Sequence, residues 1–456
     1  MNAIRSLVVA LAVIAMPLGA TGQPRAEEAE RADVRAFLTL IAGGVTELAG
    51  AMRRIESTWK PSYLPMALEV IRFARERGVA AALMGIMERE FGVSHGYDHG
   101  EWQREMWNAP AARHPRYAAF KGALYAYIDP RFAAYFDEAG EPLIRLDEIV
   151  WGGVRQDGIP PLRNPSMLAA ADAEYLEDDN VVFGVSVNGD SRAYPKRILA
   201  WHEMFVDTVG GVPVAGVYCT LCGTVILFHT EHDGVNHALG TSGFLYRSNK
   251  LMYDQATQSL WSTMRGTPVL GPLAGSGIVL DRGSVVTTTW GEWRRRHPDT
   301  RVLSLETGHE RDYSEGAAYH DYFATDDLMF QVPALDTRLK NKDEVFTVLL
   351  AEHRDHPVAF AADFLAANPV HHDAIESTAL VVLTDPSGAN RAYASKEVTF
   401  TGYDGDRRVE DSSGTIWTLG EQALAAEDGR ELARIPAQRA FWFGWYAAFP
   451  HTRLVR

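Results

Sequence analysis

The chain of 456 residues has only two cysteines, Cys219 and Cys222. Two sulfurs cannot build a disulfide scaffold for a chain of this length, so whatever the pair does is local. Positive charge is also scarce. With 44 Lys and Arg against 59 Asp and Glu, the formal net charge is -15. Such a surface repels polyanions, which argues against nucleic acid as a partner. Long apolar runs are missing too: no stretch reaches the roughly 18 uninterrupted apolar residues of a membrane-spanning helix. What remains is 46% hydrophobic and 23% charged residues. That is the balance of folded globular protein, with length for about two to four domains.

The first residues carry the clearest local signal. Arg5 gives a positive start, Leu7 to Leu18 an apolar run, and Gly19, Ala20 and Gly22 the small residues of a cleavage region. This order predicts a secretory signal over residues 1–22 and a periplasmic or secreted mature protein, with no stable membrane insertion after cleavage. An uncleaved membrane anchor is the rival reading.

The fold class expected is α+β: a helical N-terminal segment followed by two tandem, degenerate copies of a β-rich unit. Residues 30–140 read as helical. Phe37, Leu40, Ile41 and Leu48 fit one helical face, and Leu64, Leu68 and Ile71 another. Pro61 and Pro65 stand near the start of the second helix, where proline is tolerated. Arg116 to Phe136 suggests a helix pair broken near Pro130. From about 150 the texture turns to short β-branched and aromatic runs. Val181 to Val187 ends at Asn188-Gly189, a hairpin signal. Val212 to Tyr218 and Thr224 to Phe228 read as strands flanking the cysteines.

An internal repeat organises this part, with copy one at 150–325 and copy two at 326–456. Trp290-x-x-Trp293 followed by Pro298-x-Thr300-Arg301 has the spacing of Trp442-x-x-Trp445 followed by Pro450-x-Thr452-Arg453. Asp254 to Trp261 resembles Asp411 to Trp417, one residue shorter. Val182-Phe183-x-Val185 matches Val345-Phe346-x-Val348. The x-Pro steps Tyr194-Pro195 and His356-Pro357 follow. Copy two has Thr384-Asp-Pro-Ser387 where copy one has Cys219-Thr-Leu-Cys222, and nothing like His202-Glu203 near Asp363 to Leu365. Residues found in one copy and missing from the other are not needed to fold the unit.

Eight short segments then occur in the order of a known bacterial family. They include Asp157-Gly-Ile-Pro-Pro161, Arg192-Ala-Tyr-Pro195, Trp201-His-Glu203 with Asp207, Tyr218-Cys219-x-x-Cys222-Gly223, Met252-Tyr-Asp254 and Ser259-Leu-Trp261. From about 150 to the end, the chain resembles domain of unknown function thirty-one seventy-nine (DUF3179). The family pattern has a proline after the first cysteine, where Thr220 stands here. The resemblance implies fold and export more than a reaction.

Cysteines at i and i+3 can share a metal ion or pair with each other. His202 is the expected third ligand, because it disappears together with the cysteines in copy two. Glu203 is expected to orient the imidazole, carry a proton or act as catalytic base, with Asp207 an alternative orienting group, and Met252 is expected as a thioether ligand. Two thiolates, an imidazole and a thioether form a soft set that suits copper, with zinc as the alternative. The sequence therefore predicts an exported metal-binding protein, an oxidoreductase or a metal carrier, with a small-molecule or protein partner. A thiol–disulfide oxidoreductase and a non-enzymatic interaction module are the competing readings, and a structural disulfide is the plainest one. Elsewhere the expectations are structural. Ser242 reads as a strand-end turn residue and Asp254 as a turn or cap. His229, His232 and His237 flank the Asp233-Gly234 turn and should face solvent. His95 and His99 belong to a glycine-rich loop. The four repeat tryptophans should be core.

Overall fold

The computed structural model describes residues 23–108, 113–136 and 141–456. The expected signal segment lies outside them. Among the described residues no helix is long and apolar enough to cross a membrane. The architecture is α+β, a helical N-terminal region followed by a β-rich one, and the chain divides into two compact units.

The first unit comprises the described residues up to His99 together with 113–120. Its helices are Gln23–Ala42, Val45–Ser57, Leu64–Phe73 and Arg77–Phe91. Their ends follow from local chemistry. The Gly44 N–H donates to the Glu47 carboxylate at 2.9 Å, satisfying one of the open donors at a helix start. Pro65 sits in the first turn of its helix, where a missing N–H costs nothing. Gly92 ends the fourth helix at φ 70° and donates to Glu88 O. Phe37, Leu40, Leu64, Leu68 and Leu83 are buried. Ile41, Leu48 and Ile71 are only half-buried, so the buried stripe is narrower than the sequence pattern suggested.

The second unit holds residues 100–110 and 121–456. The stretch read from sequence as one helical region is thus shared between two bodies. The reason is an aromatic cluster: Tyr125, Phe132, Tyr135 and Phe136 surround Phe244 at centroid distances of 5.0, 4.8, 6.0 and 5.4 Å. Burying five rings together outweighs continuity with the earlier helices.

Five larger sheets build this unit. One has the strand order 286–289, 181–187, 190–195, 301–303, 167–169. Its central hairpin turns at Asn188 (φ 49°) and Gly189 (φ 82°), the two positive-φ residues of a tight two-residue turn. Two more five-stranded sheets carry the candidate site: Met204–Val209, Val212–Cys219 and Thr224–His229 in one, Leu239–Tyr246 and Asn249–Asp254 in the other. A fourth sheet has the order 437–441, 344–348, 358–361, 453–455. The fifth has eight strands from 370 to 435 and comes close to a barrel. Its two edge strands are joined by His372, whose Nε2 lies 2.9 Å from Phe400 N. Trp290, Trp293, Trp442 and Trp445 are fully buried, as expected of core residues. One continuous apolar cluster contains Cys219, Leu221 and Cys222 together with Phe441, Trp442 and Trp445.

Candidate functional site

The helix Lys196–His202 starts after Pro195, whose missing N–H is harmless at that position. It stops at Glu203, which takes the left-handed conformation (φ 54°, ψ -1°) and donates its N–H to Leu199 O at 2.7 Å. A non-glycine residue held there is strained, and such strain concentrates at functional sites. The Glu203 carbonyl accepts from Tyr218 N at 2.8 Å, which ties the helix end to the strand leading into the cysteines.

The Glu203 side chain is buried. Its Oε2 lies 2.5 Å from Lys250 Nζ and its Oε1 accepts from the Tyr319 hydroxyl at 3.3 Å. Burial pushes the Lys250 ammonium down in spite of the pull of Glu203 beside it. Burial and the neighbouring Glu203 both push the Tyr319 phenol up, so it stays protonated. Tyr319 is itself left-handed at φ 58°. The three groups face a cavity of about 60 Å³ whose apolar walls include Ile159, Leu221 and Phe330. That is room for a molecule of a few heavy atoms, given that one water needs about 10–15 Å³ by the same measure.

His202 points elsewhere. Its Nδ1 is 2.9 Å from Pro160 O and its Nε2 is 2.5 Å from the Tyr313 hydroxyl. A carbonyl only accepts, so Nδ1 carries the proton and Nε2 accepts from Tyr313. Burial pushes the imidazole down to about 4, the Pro160 carbonyl pulling the other way. Both ring nitrogens are committed to other partners.

Cys219 and Cys222 are joined as a disulfide, with Cα atoms 5.3 Å apart. Both are buried and enclosed. Cys222 O accepts from Phe441 N at 2.7 Å, and Leu221 O from the Tyr322 hydroxyl at 2.8 Å. Gly444 is pressed against the knuckle so closely that a Cβ there would lie 2.9 Å from Cys222 Cβ. Cys222 Sγ lies 3.4 Å from Ser248 O, on the hairpin that carries Lys250. Met252 belongs to the same buried cluster as the two cysteines. Among the described residues no group of three or more His, Cys, Asp and Glu side chains is placed to hold a metal ion.

Over residues 156–452 the chain matches the family described as "Protein of unknown function (DUF3179)". It belongs to that family. No curated protein and no solved structure matches it. The family match spans the cysteine knuckle, the Glu203 helix end and both W-x-x-W segments, and begins after the first unit.

Sequence reasoning singled out Glu203 but not the two side chains beside it. Lys250 had one available signal: it is the lone charge between Asn249 and Asp254 in a strand whose residues are all buried. Tyr313 and Tyr319 lie between the last strand of one half and the first of the next; Asp312-Tyr313 is one of the segments that carry the family resemblance, while no pattern marks Tyr319. Three expectations for other residues resolve simply. Ser242 is buried and donates to Leu251 O at 2.6 Å, and Asp254 collects Ala256 N and Thr257 N as a turn residue does. His237 does not face solvent. It is buried, with Nδ1 3.1 Å from Asp254 Oδ2, because beyond the exposed pair Val235–Asn236 the chain turns into the buried strand Leu239–Tyr246.

Proposed function

We propose that this family member is an exported protein that binds a small carbonyl compound and moves a proton on it, with Glu203 as the proton carrier. The observation that carries this reading is the buried Glu203–Lys250 pair opening onto an apolar cavity. A buried ion pair is a poor stabilising device, often no better than apolar residues of equal volume. Its presence beside a cavity and two strained residues is better explained by chemistry. Lys250 offers its ammonium to the carbonyl oxygen. Glu203, released from that ammonium, takes a proton from the adjacent carbon, and the electron pair moves onto the oxygen held by Lys250. Tyr319 holds the other carboxylate oxygen in place.

The test uses the mature protein in deuterium oxide with acetone and pyruvate as probes. Deuterium should enter their methyl groups, read by proton NMR, and Glu203→Gln should slow the exchange by about 10²–10⁴-fold. Exchange no faster than in buffer for both probes overturns the proposal.

A second reading is favoured by the shared burial of Cys219, Cys222 and Met252. Once reduced, two thiols and a thioether suit copper(I), with zinc the alternative. His202 would take no part, because its nitrogens are occupied. Stoichiometric copper on the reduced protein, lost in Cys219→Ser, would establish this reading; metal-free protein would remove it.

We further propose that residues 150–456 arose by duplication. The strand order 286–289, 181–187, 190–195, 301–303 parallels 437–441, 344–348, 358–361, 453–455, each with its last pair parallel. Trp293 Nε1 donates to Thr300 Oγ1 at 2.9 Å, and Trp445 Nε1 to Thr452 Oγ1 at 2.9 Å. On this reading copy one kept or gained the chemistry and copy two became its support.

A further inference from the structure

Buried arginines in this protein have carboxylates beside them. Arg192 pairs with Asp190 and Asp207, Arg296 with Glu292, and Arg391 with Asp385 and Glu421. A less buried group differs. Arg265, which is exposed, and Arg282 and Arg354, which are half-buried, form no ion pair among the described residues, yet they gather at one turn. Arg282 Nη2 donates to Met264 O, and Arg354 Nη1 donates to the next carbonyl, Arg265 O, at 3.3 Å. Arg265 itself lies over the Phe449 ring, 4.9 Å from the centroid. Arg282 Nη1 is out of contact with solvent and has no hydrogen-bond partner among the described residues.

We propose that Arg265, Arg282 and Arg354 form a binding site for an oxyanion, the carboxylate or phosphate group of a ligand or a free inorganic anion. Three guanidinium groups within Coulomb reach of one another repel. Burial and the charges of Arg354 and Arg265 together disfavour the positive charge of Arg282, and only Asp281 offers Arg354 any relief. A buried donor without an acceptor adds its own cost. One oxyanion removes both: it neutralises the cluster and gives Nη1 the acceptor that no described residue supplies. Guanidinium groups are suited to this, because their planar forks match carboxylate and phosphate oxygens. The position favours a ligand-borne group, since Arg265 also lines a cavity of about 260 Å³ with Lys250 on its wall. Two of the arginines come from the first half of the β-rich unit and Arg354 from the second, so the occupied site would also pin the halves together.

The test is calorimetric titration of the full mature chain with inorganic phosphate and with sodium acetate, at fixed ionic strength in a chloride background. Saturable binding of either oxyanion is expected, weakened at least about tenfold in Arg282→Met and in Arg354→Gln, the loss of one charge-assisted hydrogen bond. Acetate binding without phosphate binding identifies a carboxylate ligand; the reverse identifies phosphate. A second measurement keeps folding defects apart from binding. In anion-free buffer Arg282→Met should melt no lower than the parent, because it removes an unpaired charge. No heat beyond that of chloride with either probe overturns the site. So does a lower melting temperature for Arg282→Met without anion, which would make the guanidinium a structural strut.

Discussion

Separating the two members of the Glu203–Lys250 pair should cost more than removing both. The side chains are 11% and 7% exposed and 2.5 Å apart. Lys250→Met keeps the volume and deletes the ammonium. It leaves a buried carboxylate with one remaining donor, the Tyr319 hydroxyl at 3.3 Å. Breaking such a pair costs about 3–5 kcal/mol, a large part of the roughly 5–15 kcal/mol that holds a protein folded. Glu203→Met strands the ammonium and should cost a similar amount. The double variant leaves no charge behind, so its stability should return to within about 1 kcal/mol of the parent or exceed it. Urea unfolding followed by circular dichroism gives all four corners of the cycle. A double variant destabilised by the sum of the two singles, within about 0.5 kcal/mol, would refute the idea that the charges compensate each other. Glu203→Gly adds a control on the backbone. It loses the same carboxylate but relieves the φ 54° strain, so it should be about 1 kcal/mol more stable than Glu203→Ala.

Other outcomes follow from the same geometry. Reducing the Cys219–Cys222 disulfide should lower stability by about 2 kcal/mol, the loop entropy for so short a closure, measured as a shift of urea midpoint with and without reductant. A loss under 0.5 kcal/mol would make the crosslink incidental. His202 titrates near 4 when folded against 6.5 ordinarily. Below pH 6.5 the unfolded chain therefore binds a proton that the folded chain refuses, so stability falls as pH drops toward 4 and this contribution then levels off. Subtracting the pH–stability curve of His202→Gln should remove that component, and identical curves would refute it. Thr300→Val and Thr452→Val each strand a tryptophan N–H and remove one donor from a carbonyl, Ser191 O and Pro357 O respectively, the latter keeping Arg453 N at 3.0 Å. Each should cost about 2 kcal/mol, and a difference above about 1 kcal/mol between them in urea unfolding would argue against equivalent roles.

Much of the framework is legible because it is local. The Asn188-Gly189 turn and the placement of Pro65 follow from residues within a few positions of one another, and the burial of four tryptophans from their recurrence at matching places in the two copies. The candidate site is different. Glu203 finds Lys250 from 47 residues away and Tyr319 from 116, while His202 finds Pro160 from 42 and Tyr313 from 111. No spacing rule covers such pairs. The expectation that His202 joins the cysteines rested on their shared absence from copy two. That signal marks residues as special without saying which of them touch. In the structure His202 and Glu203, adjacent in the chain, turn to different partners because the helix ends between them: His202 is its last residue and Glu203 already left-handed.

Beyond Met329 and Phe330, which line the pocket, the second half of the β-rich unit also contributes to it from behind, and Gly444 makes this testable. Leu221 is a wall of the cavity and sits between the two bonded cysteines. Behind it the knuckle rests on Gly444, where an added Cβ would meet Cys222 Cβ at 2.9 Å. Neither atom is the end of a flexible side chain, so Gly444→Ala must displace backbone, and overpacking of this kind costs about 1–3 kcal/mol. The displacement is directed at the knuckle, and therefore at Leu221. Gly444→Ala should change deuterium exchange into acetone and pyruvate although it alters no residue of the cavity. Gly50→Ala, in a helix of the first unit with nothing within 4 Å of the new Cβ, should leave that exchange untouched. If Gly444→Ala lowers stability and the exchange rate of the folded protein stays the same, the helix Trp442–Ala448 only holds the fold together and does not shape the pocket.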